Sequence, residues 1–379
     1  MKAAFYTLGC KVNQYESQAM AQRLENIGFV ICDADEDADV YIINSSTVTA
    51  ESDRKTRQAV RRFRKLHPDS IILLTGCMPQ AFPKAGEELD SADIVIGNKS
   101  NHLIDKYIMQ YINSGGRIVA VEQHKSGEAF GGDVISSFRE RTRANVKIED
   151  GCNRFCSYCI IPYARGRVRS KPLETLKEEI SALEKSGFSE IVLVGINLSA
   201  YGTDIGSSLA EAVETVASFK GISRIRLGSL EPDHITDEVI ERLSAVEKFC
   251  PQFHISLQSG CNKTLKKMNR HYTAEEYYEL CVKLRNAFEG ATLTTDVMVG
   301  FPDETAEDFA ESLEFVKKVG FEKVHVFPYS RREGTPAARM PNQVENAEKS
   351  RRAAIMIEET EKIRKAFLEA QIGKTLEVL

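Results

Sequence analysis

Residues 149–162 read EDGCNRFCSYCIIP, and they set Cys152, Cys156 and Cys159 in a C-x3-C-x2-C spacing on one short stretch. The stretch closes a strand-like run, ANVKIED, and five more runs follow it: EIVLVG, RIRLGS, FHISLQ, TLTTDVMVG and KVHVFPY. Between them lie amphipathic segments such as LETLKEEISALEKSG and AEDFAESLEFVKKVG, whose final glycines fit helix stops. Six βα units in series predict a partial or complete barrel, with function on the loops that follow the strands. The cysteines stand on the first such loop. Three thiolates this close suit an iron–sulfur cluster. Three rather than four leave one iron of a 4Fe–4S cluster open, able to chelate the amino and carboxylate groups of a methionine moiety. The alternatives are a structural zinc site or unpaired core cysteines; structural zinc asks for a fourth protein ligand, and no His or Cys follows closely.

The first ~125 residues alternate in the same way. AAFYTL, VYIIN, IILLTG and DIVIG are strand-like, and NQYESQAMAQRLENIG, SDRKTRQAVRRFRKL and NHLIDKYIMQYI are helix-like. This predicts an open, mainly parallel α/β sheet, whose ligands gather outside the carboxyl ends of the strands. Cys10, Ser46 and Cys77 all fall at that edge. SGEAFGGDVISSF (126–138) reads as a linker, and a helical stretch runs from Val344 to Gln371. The expected domains are therefore 1–125, 139–371 and a short piece, 372–379.

At 379 residues with a net charge of −5, the chain is not coated in basic residues for nucleic acid. Locally the balance differs. Arg54 to Lys65, RKTRQAVRRFRK, holds seven basic residues and no acid, and Arg139 to Lys171 holds nine against Glu140, Glu149 and Asp150. Such clusters attract phosphate, or else form a solvated helix face and a charged linker. The cysteine count, nine, is odd, which favours metal or redox chemistry over a disulfide framework. No apolar run approaches the ~20 residues of a membrane span, and MKAAFYTLGC enters a strand pattern directly, so a cytoplasmic protein without a signal peptide is expected.

GCNRFCSYCIIPYARGRVRS resembles the radical S-adenosylmethionine (radical SAM) superfamily and, within it, the signature of the methylthiotransferases. The order of the segments along the chain is similar to theirs. The resemblance implies SAM as cofactor, a 4Fe–4S cluster on Cys152, Cys156 and Cys159, and Tyr158 near the adenine. It also implies a second, auxiliary 4Fe–4S cluster in the N-terminal domain, held by three cysteines at strand ends. LGCKVNQYES supplies Cys10 and TGCMPQ supplies Cys77, but the motif usually written N-T-C-T-V-T is here NSSTVT, with Ser46 in the cysteine's place and Ser45 in the threonine's. A serine hydroxyl is scarcely ionised at neutral pH and matches iron–sulfur chemistry poorly. Three accounts stay open: an introduced serine that disarms the cluster, a natural variant that holds it with Cys10, Cys77 and an alkoxide or exogenous ligand, or an empty site in a protein that no longer thiolates.

LGCKVNQYES and HVFPYSRREGTPAARM resemble the branch acting on N6-threonylcarbamoyladenosine beside the tRNA anticodon. That implies methylthiolation at C2 of adenosine 37, with one SAM methylating a sulfur of the auxiliary cluster and a second cleaved to a radical that removes the C2 hydrogen. Alternatives are another tRNA adenosine, a ribosomal protein, or a relative that binds RNA without thiolating it. For SAM, the strand ends offer Gly195 and Asn197, Ser229 and Glu231, Gln258, Arg270, and the backbone of Val299 and Gly300. The implied partners are the anticodon stem-loop and an electron donor such as flavodoxin or ferredoxin, with a monomeric chain and no membrane. Arg165, Arg167 and Arg169 are candidates for RNA phosphates or for structural ion pairs. Cys32, Cys250, Cys261, Cys281, His234, His254 and His325 read as core or loop residues. Relatives continue into a TRAM β-barrel, of which only GKTLEVL, an expected first strand, is present. The fold class expected is thus α/β: an N-terminal open parallel sheet, then a radical SAM partial (β/α)6 TIM-like barrel, with TRAM largely absent.

Overall fold

The computed structural model describes residues 1–132, 134–136 and 142–375. Its chain forms two compact units: Met1–Asn153 with Cys159–Gly187 and Val194–Ile196, and Arg154–Tyr158 with Phe188–Leu193 and Asn197–Leu379.

The first unit opens with β1 (Lys2–Thr7), α1 (Lys11–Asn26), β2 (Val30–Cys32), β3 (Val40–Ser45), α2 (Ala50–Leu66), β4 (Ile71–Gly76), α3 (Cys77–Ala81), α4 (Pro83–Glu87), β5 (Ile94–Ile96), α5 (Ile104–Ser114) and β6 (Ile118–Ala120). The six strands form one parallel sheet in the order β2-β1-β3-β4-β5-β6. β2 and β6, the three-residue strands at the two edges of the sheet, are the ones that periodicity misses. β3 and β4 read as continuous apolar runs since helices cover both faces. Alternate residues feed two cores: Val40, Ile42 and Leu73 join Leu24 and Ile108 on one side, while Tyr41, Ile43, Ile72 and Leu74 join Val60 and Phe63 on the other. The order reverses at β1 and β3, and at such a switch point the diverging connections leave a crevice beyond the strand ends.

The same unit contains β7 (Ala144–Lys147), β8 (Glu149–Asp150), α6 (Ile161–Arg165), β9 (Arg169–Ser170) and α7 (Leu173–Lys185). β8 and β9 pair antiparallel. The described part of 126–138 forms no helix or strand, yet Ile135 is fully buried and Gln22 is hydrogen-bonded to Val134 and Ser136.

The second unit runs β10 (Glu190–Val194), α8 (Leu209–Ala217), β11 (Arg224–Leu227), β12 (Ser229–Leu230), α9 (Asp237–Ser244), β13 (Gln252–Ile255), α10 (Asn262–Lys267), α11 (Ala274–Ala287), β14 (Thr292–Val299), α12 (Ala306–Val319), β15 (Lys323–Pro328) and α13 (Asn346–Glu369). β10 pairs in parallel with β11, and β12-β13-β14-β15 are parallel in that order. RIRLGS therefore serves two sheets, divided at Gly228. Capping boxes start α8 (Ser208, Glu211), α11 (Thr273, Glu276) and α12 (Thr305, Asp308), and left-handed Gly320 ends α12. In the expected strand GKTLEVL, residues 376–379 lie outside the described ones.

Candidate metal centres

In the first unit, β1, β3 and β4 are neighbours, and their carboxyl ends deliver Cys10, Ser46 and Cys77 to one edge of the sheet. Cys10 is exposed at the N-cap of α1, and Cys77 is buried in the first turn of α3. Ser46 is buried beside the Cys10 loop: a Cβ added to Gly9 would stand 3.0 Å from the Ser46 Cβ. Side chains from three elements fix these ends. Asn13 donates to Asn44 Oδ1 (3.2 Å) and to the Ser45 carbonyl (3.0 Å), Asn44 donates back to the Asn13 carbonyl (2.9 Å), and the Ser45 hydroxyl accepts the Met78 amide (3.1 Å). Ser45 is thus engaged in backbone support, whereas Ser46 lies next to the cysteines.

Arg165, of the YARGRVRS segment, reaches this edge. Its Nε donates to Cys77 Sγ at 3.3 Å, and its Nη atoms donate to Glu16 at 2.6 and 2.9 Å. Asp150 accepts from Arg165 (3.2 Å) and from Lys147 (2.6 Å), and Arg169 lies 3.4 Å from it. Lys147 also donates to Glu16, at 2.8 Å. Arg165 is 1 % exposed, so burying its charge depends on these carboxylates. Burial raises the Glu16 carboxyl's pKa, but Arg165 and Lys147 outweigh it and hold the group ionised. Burial also pushes the Cys77 thiol up, against the pull of Arg165. Of the three arginines considered for RNA phosphates, Arg165 and Arg169 are instead buried structural ion partners, because carboxylates from distant segments enclose them; Arg167 is exposed. No sequence signal marks this network, since Glu16 and Arg165 are 149 residues apart.

The cysteine loop is threaded through both units: Cys152 and Cys159 belong to the first and Cys156 to the second. Gly151 (φ +89°) starts it, and the Cys152 amide donates to the Gly166 carbonyl at 3.0 Å. In the second unit, residues 267–270 hold the loop's centre. Ser157 N–H donates to the Met268 carbonyl (2.9 Å), Ser157 Oγ to the Lys267 carbonyl (2.8 Å), and Asn269 Nδ2 to the Arg154 and Phe155 carbonyls (3.2 Å each). Phe155 is left-handed (φ +50°), a strained state that these bonds over-determine. Arg270 then donates from Nη1 to Cys156 Sγ at 3.3 Å, pairs with Glu231, and donates from Nε to the Tyr272 hydroxyl at 2.9 Å. Burial raises the Glu231 carboxyl's pKa against the lowering field of Arg270.

The other expected SAM positions are distributed as follows. Gln258 is buried and left-handed (φ +68°), with an Oε1 that has no partner. Tyr158 is half-buried, edge-on to Phe301 at 6.5 Å. Asn197 is buried before a short 3-10 turn, and Ser229 is exposed. The Gly300 amide is donated to Glu304 (2.6 Å) and the Val299 carbonyl accepts from Tyr329 (2.9 Å), so both backbone groups have protein partners. Gly195 belongs to the first unit, where a Cβ would stand 2.7 Å from Glu149. Cys261 and Cys281 are core residues, with burial pushing the Cys281 thiol up to about 12. His254 stands 3.2 Å from Asp296, on the side of β14 and β15 that also presents His325. Sequence reading missed Tyr272, whose hydroxyl lies within donating reach of the Ser256 and Leu257 carbonyls (2.8 and 2.7 Å), accepts from Arg270 Nε and so positions Arg270.

The radical SAM superfamily model matches residues 146–316, and the model of an uncharacterized family, UPF0004, matches residues 2–97. A threonylcarbamoyladenosine tRNA methylthiotransferase of Bacillus subtilis is 40 % identical over 380 residues, covering 99 % of this chain and 84 % of that protein. The chain belongs to the radical SAM methylthiotransferase family. A relative of the same description from Thermotoga maritima is also 40 % identical, over 98 % of this chain and 85 % of that one. A tRNA-2-methylthio-N(6)-dimethylallyladenosine synthase of Pelotomaculum thermopropionicum is 36 % identical, over 100 % and 86 %. Among solved structures, the radical SAM methyltransferase TsrM of Kitasatospora setae superposes with a TM-score of 0.65 at 15 % identity, over 89 % of this chain and 76 % of that one, which shows a shared fold. The family uses SAM and a 4Fe–4S cluster, and its methylthiotransferases carry an additional cluster.

The donor sets can be tested against these groups. Among the described residues no three His, Cys, Asp or Glu side chains converge on a single ion, whereas structural zinc needs four donors within about 2.0–2.3 Å of one point. A cubane cluster places each thiolate on a different iron. The three-cysteine loop fits it: Cys156 Sγ accepts a charged N–H, as cluster sulfurs do, and the unpartnered Gln258 oxygen suits an incoming donor such as an amino group. The strand-end site fits in part, with two thiols, one hydroxyl, and a guanidinium that balances thiolate charge.

Proposed function

We propose that this protein is a radical SAM tRNA methylthiotransferase acting on C2 of N6-threonylcarbamoyladenosine at position 37. The observation that carries it is Arg270, whose contacts to Cys156 and Glu231 tie a cluster thiol to a residue expected at SAM. Similarity at 40 % identity to proteins named for that activity supports the choice of substrate. SAM bound at the cluster of Cys152, Cys156 and Cys159 supplies, on one-electron reduction, a radical able to remove a hydrogen that is neither acidic nor on an electrophilic carbon.

The chain's own residues then have these parts. Arg270 donates to Cys156 and to both carboxylate oxygens of Glu231, holding that carboxylate beside the cluster thiol, where its remaining lone pairs face a ligand's ribose or amino group. Gln258 offers its unpartnered oxygen. Tyr158, backed edge-on by the buried Phe301, offers an aromatic ring that suits adenine. In the first unit, Cys10, Cys77 and Ser46 are the ligands for the auxiliary cluster, and Arg165 balances the charge on Cys77. The division of labour follows 1–125 for the auxiliary site and 139–371 for SAM, with 126–138 joining them. A low-potential electron donor of the flavodoxin or ferredoxin type, a monomeric state and a cytoplasmic location complete the reading; no helix among the described residues is long and apolar enough to cross a membrane.

Ser46 favours a second reading, SAM cleavage without thiolation. Anaerobic reconstitution separates the two. With SAM, reductant and tRNA carrying N6-threonylcarbamoyladenosine, mass spectrometry of the digested nucleosides is expected to show the 2-methylthio product. Release of 5′-deoxyadenosine with no such product would overturn thiolation and establish the second reading.

A further inference from the structure

The two basic runs have opposite fates in the fold. Arg165, Arg169 and Lys171 of the second run are buried against carboxylates. The first run is α2, and there the helix period separates the charges from the core. Asp53, Thr56, Ala59, Val60 and Phe63 face inward, and Arg54, Lys55, Gln58, Arg61, Arg62 and Lys65 are exposed on the opposite side. Of the two outer-turn acids, Asp53 is turned in to accept from Thr47 (2.8 Å), which leaves Glu51, held by Arg54, as the one carboxylate on the stripe. Arg64 is neutralised by Asp93. Arg57, Arg61 and Lys65 have no salt bridge among the described residues.

We infer that the exposed face of α2 is a docking surface for the phosphate backbone of RNA. The partner is argued from charge. On a chain of net charge −5, an uncompensated cationic stripe repels basic partners and attracts a polyanion. From Lys55 to Lys65 it runs ten residue steps, about 15 Å at helical rise, long enough to follow several successive phosphates of one strand. The residues are flexible Lys and forked Arg with no aromatic or amide side chain for base edges apart from Gln58, so the contact positions the RNA without reading its sequence. α2 begins four residues after Ser46, so the surface starts from the strand edge that holds Cys10 and Cys77. The inference rests on the proposed tRNA substrate and adds where in the first unit its backbone is held.

The test is salt-dependent binding of an unmodified tRNA transcript to the full chain between 50 and 200 mM salt, by fluorescence anisotropy. The triple variant Arg57→Gln, Arg61→Gln, Lys65→Gln is expected to lower the slope of log affinity against log salt by about 2, and to weaken binding at least about tenfold at the low-salt end. A control triple, Lys106→Gln, Lys185→Gln, Lys220→Gln, removes equal charge from other exposed positions and is expected to leave the slope unchanged. Unchanged thermal melting shows that both variants fold. Equal losses in the two triples, or none in the α2 triple, would overturn the docking surface while leaving the tRNA substrate standing. Absence of binding by the unaltered chain would overturn both.

Discussion

Two arginines in this protein do the same thing in different settings. Arg165 donates to Cys77 and Arg270 to Cys156, each at 3.3 Å, each nearly excluded from water, and each anchored by carboxylate. Around Cys156 the chain supplies two further cysteines from the same loop, and residues 267–270 hold that loop by backbone bonds. Around Cys77 it supplies one further cysteine and Ser46, from strands whose ends are fixed by amide side chains. Both regions hold their cysteines in place with hydrogen bonds; only one of them supplies three cysteines. The charge of Arg165 is already met by Glu16 and Asp150, so its contact to Cys77 is a hydrogen bond added to an ion network that stands without the sulfur.

The largest effect should come from breaking the complete region. Cys156→Ala is expected to abolish SAM cleavage, measured as 5′-deoxyadenosine, while Cys10→Ala leaves it intact; equal loss in both would erase the functional distinction between the regions. Next, Ser46→Cys should complete the incomplete one. With Ser46 as a ligand, iron after reconstitution of the unaltered chain is expected at about eight, as two 4Fe–4S clusters require, and Ser46→Cys is expected to raise methylthiolated product at unchanged iron. About four irons in the unaltered chain, rising toward about eight in Ser46→Cys, would remove the serine from the ligand set.

The arginines should separate by readout. Arg165→Met leaves Glu16 and Asp150 with fewer counter-charges and is expected to destabilise the fold by about 3 kcal/mol, at the low end for a broken buried pair because Lys147 and Arg169 remain. Arg270→Met should instead lower SAM affinity about 10- to 100-fold through the shell around the cluster. Calorimetry and SAM titration distinguish the two outcomes. The smallest effect concerns the charges beside the first region. Burial raises the Glu128 carboxyl, but hydrogen bonds from Lys99 and His124 outweigh it and hold it at about 2, against an ordinary 4.5. A depressed carboxyl stabilises the fold fully above pH 4.5 and loses that contribution as pH falls toward 2. Glu128→Gln should therefore flatten the acid side of the melting profile, by no more than about 1 kcal/mol for a pair this accessible.

Local chemistry was legible along the chain. The three-cysteine spacing, the strand–helix alternation and the strand-end placement of Cys10, Ser46 and Cys77 need only neighbours in sequence, and they determined the fold class and the loop and sheet edge on which these residues stand. What depends on distant partners was not. RKTRQAVRRFRK and YARGRVRS look alike as strings of cations. Only the tertiary structure put the first on an open helix face and wrapped Glu16 and Asp150, from other segments, around the second. A guanidinium in water and one buried against carboxylates have the same one-letter symbol, and the difference between them is desolvation, which exists only once the chain has folded.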